Sequence, residues 1–225
     1  MTVLEGIQKS AEFLGKKDVE SPRLQAELLL AHVLQLPRMK LYLNFERALT
    51  DPETNTYREL VKRRAQREPL QHIVGSASFC GLEIAVNRHV LVPRPETEIL
   101  AELGWQWLEF TLQRASGPAQ PEGWTPTALD FGTGSGCIAI ALAAKCPGAH
   151  IVGLDVSPDA LDVAKQNATR NNVADRIEFL QGESFASMAL VGRVTPCAPG
   201  SDPTDRRARS DAPYQPQFDL IISNP

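Results

Sequence analysis

The sequence predicts an α/β protein in which a parallel sheet follows an all-helical N-terminal region. Three observations support this fold class: helical spacing of apolar residues near the N-terminus, an alternation of strand-like and helix-like segments from Thr127 onward, and a glycine-rich turn inside that alternation. Strands separated by helical lengths indicate right-handed βαβ units and therefore parallel strands. A chain of 225 residues has room for one large domain or two smaller ones.

The first predicted domain is helical and covers residues 1–70. Ser21 followed by Pro22 is typical of a helix start, with serine as the N-cap and proline at the first helical position. The sequence TDPE at 50–53 predicts the start of a further helix in the same way.

A β-hairpin linker is predicted at 71–93, where β-branched and aromatic residues are split by Gly75 and Gly81. A helix should begin after the linker at Pro95, because acidic side chains in the residues that follow favour the positive end of a helix dipole.

The predicted α/β domain covers 94–225. Its segment 191–217 holds five prolines and four arginines without apolar periodicity. Such a composition cannot form a packed element and predicts a disordered insert.

Bulk properties restrict the function classes. The net charge of −4 and the pI of about 5.6 argue against a nucleic-acid-binding protein. The longest uncharged apolar run, CIAIALAA at 137–144, is too short for a membrane span. The four cysteines form no CxxC pair and the four histidines have no ligand spacing, so we expect no metal site and a reduced, cytoplasmic protein.

The segment LDFGTGSGCIAIALA at 129–143 is the sharpest motif. A buried strand ends at Asp130, the chain turns through Gly132, Gly134 and Gly136, and a helix of small residues follows. Glycines allow the backbone to turn tightly and to approach a ligand closely, and the helix N-terminus offers free N–H groups.

Asp155 ends the next predicted strand, 21 residues after Gly134. A carboxylate at this place accepts hydrogen bonds from both ribose hydroxyls, so the pair of features predicts an adenosine-type cofactor. GSGCIA also fits the dinucleotide fingerprint G-x-G-x-x-A, which leaves a nicotinamide-dependent dehydrogenase as an alternative. Asp130 argues against a pyrophosphate, which it would repel, and for the ammonium group of S-adenosylmethionine.

These residues together resemble the HemK/PrmC family of peptide chain release factor N5-glutamine methyltransferases. The resemblance rests on LVPRPETE at 91–98, DFGTGSGCIAIALA, GLDVSPDALDVAKQNA and the terminal SNP, and it leaves 191–217 without a counterpart. It implies a class I (Rossmann-like) S-adenosylmethionine-dependent methyltransferase domain behind an all-helical N-terminal domain. The substrate it implies is the glutamine of a Gly-Gly-Gln motif in release factors, and the protein it implies is a monomer.

The resemblance also implies roles for particular residues. The S-adenosylmethionine contacts would come from Asp130, Gly132, Thr133, Gly134, Ser135, Gly136, Asp155, Glu183, Ser184 and Asn224. Glu183 and Ser184 stand where an acid and an aromatic residue usually flank the adenine, and Ser184 departs from that aromatic. Asn224 and Pro225 match the first half of the catalytic Asn-Pro-Pro-Tyr signature, and Arg94 and Glu96 are candidates for the mouth of the substrate site.

Asn224 and Pro225 suit the chemistry that the resemblance implies. An amide nitrogen is a poor nucleophile, so methyl transfer depends on positioning. The Asn224 side-chain oxygen can accept one amide N–H and the Pro225 carbonyl the other. The second proline and the tyrosine are absent, and the sheet is expected to be incomplete, with a C-terminal truncation. We therefore expect little or no methyltransferase activity from this chain alone, and a robust turnover would refute that expectation.

Two further alternatives stay open from the sequence. Adenine-N6 methyltransferases acting on nucleic acid use a similar Asn-Pro signature, although the acidic balance and LVPRPETE argue against that class. The chain could also be a non-catalytic remnant that only binds a partner, as the unfinished motif would allow.

Overall fold

A computed structural model describes residues 1–115, 125–184 and 218–224. The chain divides into two compact units, Met1–Ser76 and Ala77–Pro225. The predicted insert at 191–217 and the predicted catalytic Pro225 lie outside the described residues.

The first unit is helical, as predicted. Its elements are α1 (Val3–Gly15), α2 (Pro22–Leu34), α3 (Arg38–Leu41), a 3₁₀ turn (Tyr42–Asn44), α4 (Asp51–Ala65) and α5 (Leu70–Val74). Its core is formed by fully buried side chains from several of these helices, among them Ile7, Leu14, Leu29, Leu30 and Tyr57.

The helix starts of this unit follow the sequence closely, with one exception. Thr50 and Glu53 form a reciprocal capping box at α4, and Pro22 takes the first position of α2. Ser21 lies at the N-cap position but has left-handed backbone angles (φ 47°, ψ 53°) and makes no capping bond with its side chain. The predicted N-cap position of the serine is therefore confirmed, but the side-chain bond that a capping serine usually makes is absent.

A two-stranded sheet, β1 (Ser76–Phe79) and β2 (Leu82–Ala85), follows the helical unit. Cys80 and Gly81 between the strands both have positive φ, as a two-residue hairpin turn with the right twist requires. The hairpin begins later than the predicted linker at 71, because α5 occupies that stretch.

The remaining elements alternate between helix and strand: α6 (Pro95–Ala115), β3 (Thr127–Phe131), α7 (Cys137–Lys145), β4 (His150–Asp155), α8 (Pro158–Arg170), a 3₁₀ turn (Ala174–Arg176), β5 (Ile177–Gln181) and β6 (Leu220–Ser223). The strands form one sheet in the order β5-β4-β3-β6, and every neighbouring pair is parallel. This confirms the predicted α/β fold with a parallel sheet.

Small residues allow the helices of this unit to pack closely against the sheet. The α7 sequence CIAIALA is buried throughout, so this helix packs closely beside the sheet. On α6, a Cβ at Gly104 would lie 2.5 Å from the Cδ1 atom of Ile222, so glycine allows α6 to approach β6 closely.

Within the described ranges β6 pairs only with β3, and Ile221 on β6 is 52% exposed. No helix in those ranges is long and apolar enough to cross a bilayer.

Candidate active site

The carboxyl ends of three parallel strands bring the predicted site residues to one edge of the sheet. The glycine-rich turn follows β3, Asp155 ends β4, and Asn224 follows β6. Phe131 is in register with both Leu154 on β4 and Ser223 on β6, so the three strands end side by side. Ligands of open α/β sheets bind at this kind of edge.

The glycine-rich turn folds over the end of β4. The backbone N–H groups of Gly132 and Thr133 both donate to the Leu154 carbonyl, at 2.8 and 2.9 Å. Gly132, Gly134 and Gly136 have φ values of 74°, 54° and 78°, in the left-handed region that favours glycine. A Cβ at Gly132 would meet nothing within 4 Å, so the chain leaves open space there for a ligand.

Asp130 lies beneath this turn and is 1% exposed. Its Oδ2 atom accepts hydrogen bonds from the Thr133 hydroxyl at 2.7 Å and from the Ala139 backbone N–H at 3.1 Å. Burial raises the pKa of this carboxyl to about 6, against the two hydrogen bonds that favour its charged form. Asp130 therefore ties the turn to α7, and its predicted contact with an ammonium group stays a prediction.

Thr133 and Ser135 are both buried, and their predicted contacts with the cofactor stay predictions. The Ser135 carbonyl accepts a hydrogen bond from Nδ2 of Asn167 at 2.9 Å. Asn167 also exchanges two hydrogen bonds with the backbone of Ala85, at 2.7 and 2.9 Å. This buried asparagine joins the hairpin to the glycine-rich turn. Sequence reasoning missed it, because nothing local distinguishes it from its neighbouring asparagines.

Asp155 holds both the turn and the next helix. Its Oδ2 atom accepts from the Gly134 N–H at 2.8 Å, and its Oδ1 atom accepts from the Ser157 N–H at 2.9 Å. A carboxylate has about four acceptor positions, so each oxygen retains one for a ribose hydroxyl. The predicted ribose contact thus stays a prediction that this geometry permits.

A cavity of about 350 Å³ opens beside Asp155. It is lined by Phe131, Gly132, Leu154, Asp155, Val156, Gly182 and Glu183. Apolar walls with two carboxylates suit a nucleoside, because the walls bury the base and the acids accept from its hydroxyl and amino groups. The residues present therefore fit the adenosine part of S-adenosylmethionine. Ser184, which is exposed, does not line this cavity.

Two hydrogen bonds, one from Ser223 and one from Asn224, hold the end of β6. The Ser223 hydroxyl donates to the Phe131 carbonyl at 3.0 Å, which fixes the strand end against β3. The side-chain Nδ2 of Asn224 donates to the Thr97 hydroxyl oxygen at 2.9 Å. Thr97 is 4% exposed. It lies in LVPRPETE, directly after the predicted Glu96, but sequence reasoning missed it.

Arg94 and Glu96 are both exposed. The Arg94 carbonyl accepts the Thr97 N–H at 3.0 Å at the start of α6. The side chains of Arg94 and Glu96 make no ion pair with any part of the chain that the structure describes. Their predicted place at the mouth of a substrate site stays a prediction.

Comparison with known proteins agrees with this geometry. Residues 5–75 match the family model of the PrmC N-terminal domain, and residues 126–192 match that of a methyltransferase domain. The chain is 39% identical over 224 residues to the release factor glutamine methyltransferase of Chlorobaculum tepidum, which covers 100% of this chain and 67% of that relative. This chain belongs to the release factor glutamine methyltransferase family.

Other members of the family show the same relationship. The chain is 36% identical over 231 residues to the release factor glutamine methyltransferase of Leptospira interrogans, covering 77% of that protein. It is 37% identical over 224 residues to that of Geobacter sulfurreducens, covering 64% of it. The chain thus spans about two thirds of the length of these relatives. The family and the methyltransferase fold predicted from the sequence are confirmed, and S-adenosylmethionine is the cofactor that this family membership supports.

Proposed function

We propose that this chain methylates the side-chain amide nitrogen of the glutamine in the Gly-Gly-Gln motif of peptide chain release factors, with S-adenosylmethionine as methyl donor. The observation that carries the proposal is the place of Asn224. Parallel pairing of β6 with β3, in which Ser223 is in register with Phe131, supports a place for Asn224 at the same edge of the sheet as the glycine-rich turn. The relatives named above act on release factors by their names.

The chemistry needs positioning more than it needs a base. The lone pair of an amide nitrogen is delocalised into its carbonyl, so holding the nitrogen in line with the methyl group supplies much of the rate. When bound, S-adenosylmethionine would supply an electrophilic methyl group on its sulfonium and leave as S-adenosylhomocysteine, while the amide nitrogen gives up one proton to water. Asn224 accepts one N–H of the substrate amide through Oδ1, and the Pro225 carbonyl accepts the other. Two such acceptors would define the plane of the substrate amide and so the direction of the nitrogen lone pair.

The experiment incubates the chain with a purified release factor and a deuterated-methyl form of S-adenosylmethionine. Mass spectrometry then looks for the labelled methyl group on the Gly-Gly-Gln peptide. We expect label on the glutamine, none on a release factor with Gly-Gly-Ala, and less than a tenth of the label with Asn224→Ala. Calorimetry with S-adenosylhomocysteine should give the same affinity for Asn224→Ala as for the unmodified chain.

The same experiment separates the alternatives. Label on RNA or DNA, added in competition with the release factor, would favour the nucleic-acid amino-methyltransferase. Binding of release factor without binding of S-adenosylhomocysteine would favour the non-catalytic remnant. The predicted monomer and the cytoplasmic location belong to this proposal too, and light scattering of the purified chain checks the first of them.

A further inference from the structure

The side chain of Asn224 has two orientations that differ in what they present to a substrate. A half-turn of the terminal amide exchanges the oxygen, which accepts hydrogen bonds, with the NH₂ group, which donates them. A glutamine amide nitrogen approaching this site carries two N–H donors. If Asn224 presented its NH₂ group, donors would face donors and the substrate nitrogen would be turned away. The site therefore needs one orientation held over the other.

Thr97 contacts the NH₂ end of this amide. Its hydroxyl oxygen accepts from Nδ2 of Asn224 at 2.9 Å, across 127 residues of sequence. With the NH₂ group engaged on α6, Oδ1 is the remaining polar atom of the Asn224 amide. Thr97 is 4% exposed, so little water competes for this bond.

The packing of α6 on β6 explains why these two residues meet. Gly104 lets α6 come so close to β6 that an added Cβ would lie 2.5 Å from Ile222 Cδ1 and 3.1 Å from Leu142 Cδ2. Thr97 lies seven residues before Gly104, which is about 10 Å back along the helix. Asn224 lies two residues beyond Ile222. The close crossing at Gly104 therefore holds α6 against the strand that leads to Asn224.

We propose that Thr97 is a positioning residue that holds the Asn224 amide with Oδ1 toward the substrate glutamine. This inference rests on the proposed function, since the substrate donor that Oδ1 accepts from is the glutamine amide. Thr97 itself touches neither cofactor nor substrate in this role. Its hydroxyl anchors the terminal amide of a neighbouring side chain, and a valine at this position would remove that anchor.

The test compares three variants on α6. Thr97→Val keeps the shape and removes the hydroxyl, and Thr97→Ser keeps the hydroxyl. Thr111→Val is the matched control, because the Thr111 hydroxyl donates to the Trp107 carbonyl within the same helix, 2.8 Å away. Thr111 lies about 21 Å along the helix from Thr97.

Two readouts are measured for each variant. The first is the initial rate of methyl transfer to release factor, with the KM for release factor and the affinity for S-adenosylhomocysteine. The second is the pair of side-chain NH₂ signals of Asn224 in ¹H–¹⁵N NMR spectra, which needs no turnover. We expect Thr97→Val to lower kcat about 10-fold, the equivalent of one lost hydrogen bond. KM and cofactor affinity should stay within about 2-fold, and the Asn224 signals should shift and exchange faster with water.

Thr97→Ser should recover at least a third of the lost rate, and Thr111→Val should leave both readouts unchanged. In an Asn224→Ala background, Thr97→Val should cost nothing further, because the group that it orients is gone. An unchanged rate and unchanged Asn224 signals in Thr97→Val would overturn the inference. So would a rate loss that is matched by weaker cofactor binding, since that outcome marks a purely structural role.

The two proposals fail separately. If the unmodified chain transfers no methyl group to release factor, the proposed function fails, and the NMR comparison still decides whether Thr97 holds the Asn224 amide. Unchanged Asn224 signals in Thr97→Val would then refute the inference by themselves.

Discussion

Alanine at Gly132 should weaken cofactor binding far more than it weakens the fold, whereas alanine at Gly136 should do the reverse. Both glycines have left-handed backbone angles, with φ of 74° and 78°. An L-residue in that region costs about 1–2 kcal/mol of stability, so this part of the penalty is common to both variants.

The surroundings of the two positions differ. A Cβ at Gly132 would meet nothing within 4 Å, whereas at Gly136 it would lie 3.0 Å from the Cβ of Ala164 and 3.2 Å from Cδ1 of Ile140. Overpacking of this kind costs a further 1–3 kcal/mol. The expected loss in free energy of unfolding is therefore about 1–2 kcal/mol for Gly132→Ala and about 3 kcal/mol for Gly136→Ala.

The functional effect follows the opposite order. Gly132 lines the cavity, so an added methyl group would occupy space that the cofactor needs. We expect Gly132→Ala to bind S-adenosylhomocysteine at least 10-fold more weakly, a loss of about 1.4 kcal/mol. Urea unfolding gives the stability of each variant and calorimetry gives its affinity. The reasoning is refuted if Gly132→Ala binds S-adenosylhomocysteine as tightly as the unmodified chain, or if it loses as much stability as Gly136→Ala.

Two carboxyl groups give further predictions. Because burial raises the pKa of Asp130 from 3.8 to about 6, the folded state binds more protons than the unfolded state between those values. Its contribution to the free energy of unfolding should fall as pH rises through this window, by about 3 kcal/mol. In urea unfolding at pH 4.5 and pH 7, Asp130→Asn should show a smaller pH dependence than the unmodified chain, and an equal dependence would contradict the assignment. Asp155→Ala should lose about 1–2 kcal/mol of stability, since the Gly134 and Ser157 N–H groups each lose their acceptor. It should also bind S-adenosylhomocysteine about 10-fold more weakly in calorimetry, and unchanged binding would exclude Asp155 from the cofactor site.

Local patterns were enough to predict the elements that carry the site. The glycine-rich turn, the helix start at Pro95 and the strand ending at Asp155 each depend on residues within a few positions of one another, and each lies where the sequence predicts it. Glycine, proline and alternating apolar residues act through the local backbone, so their effect is visible in a short window. Ser21 shows the limit of this approach, because a capping residue is effective only if the preceding chain gives it extended angles.

The contacts that hold the site together could not be predicted in this way. Thr97 meets Asn224 across 127 residues, and Asn167 meets the backbone of Ala85 across 82. Each contact depends on which face of a helix is turned toward the sheet and on how closely the two pack. The close approach at Gly104 is set by the absence of a side chain, and a glycine within a helix does not by itself indicate what it lies against.

The cavity beside Asp155 and the strand end that carries Asn224 are joined through Phe131. This residue lines the cavity, and its carbonyl accepts the Ser223 hydroxyl that fixes the end of β6. A shift of the strand that carries Asn224 would therefore change the cavity wall, and a change in the wall would move Asn224. Because methyl transfer depends on the distance and angle between the two bound groups, a scaffold that positions both through one residue limits their relative motion. Thr97 adds a further constraint, since strand pairing fixes the end of β6 and the Thr97 hydroxyl anchors the side-chain amide of Asn224.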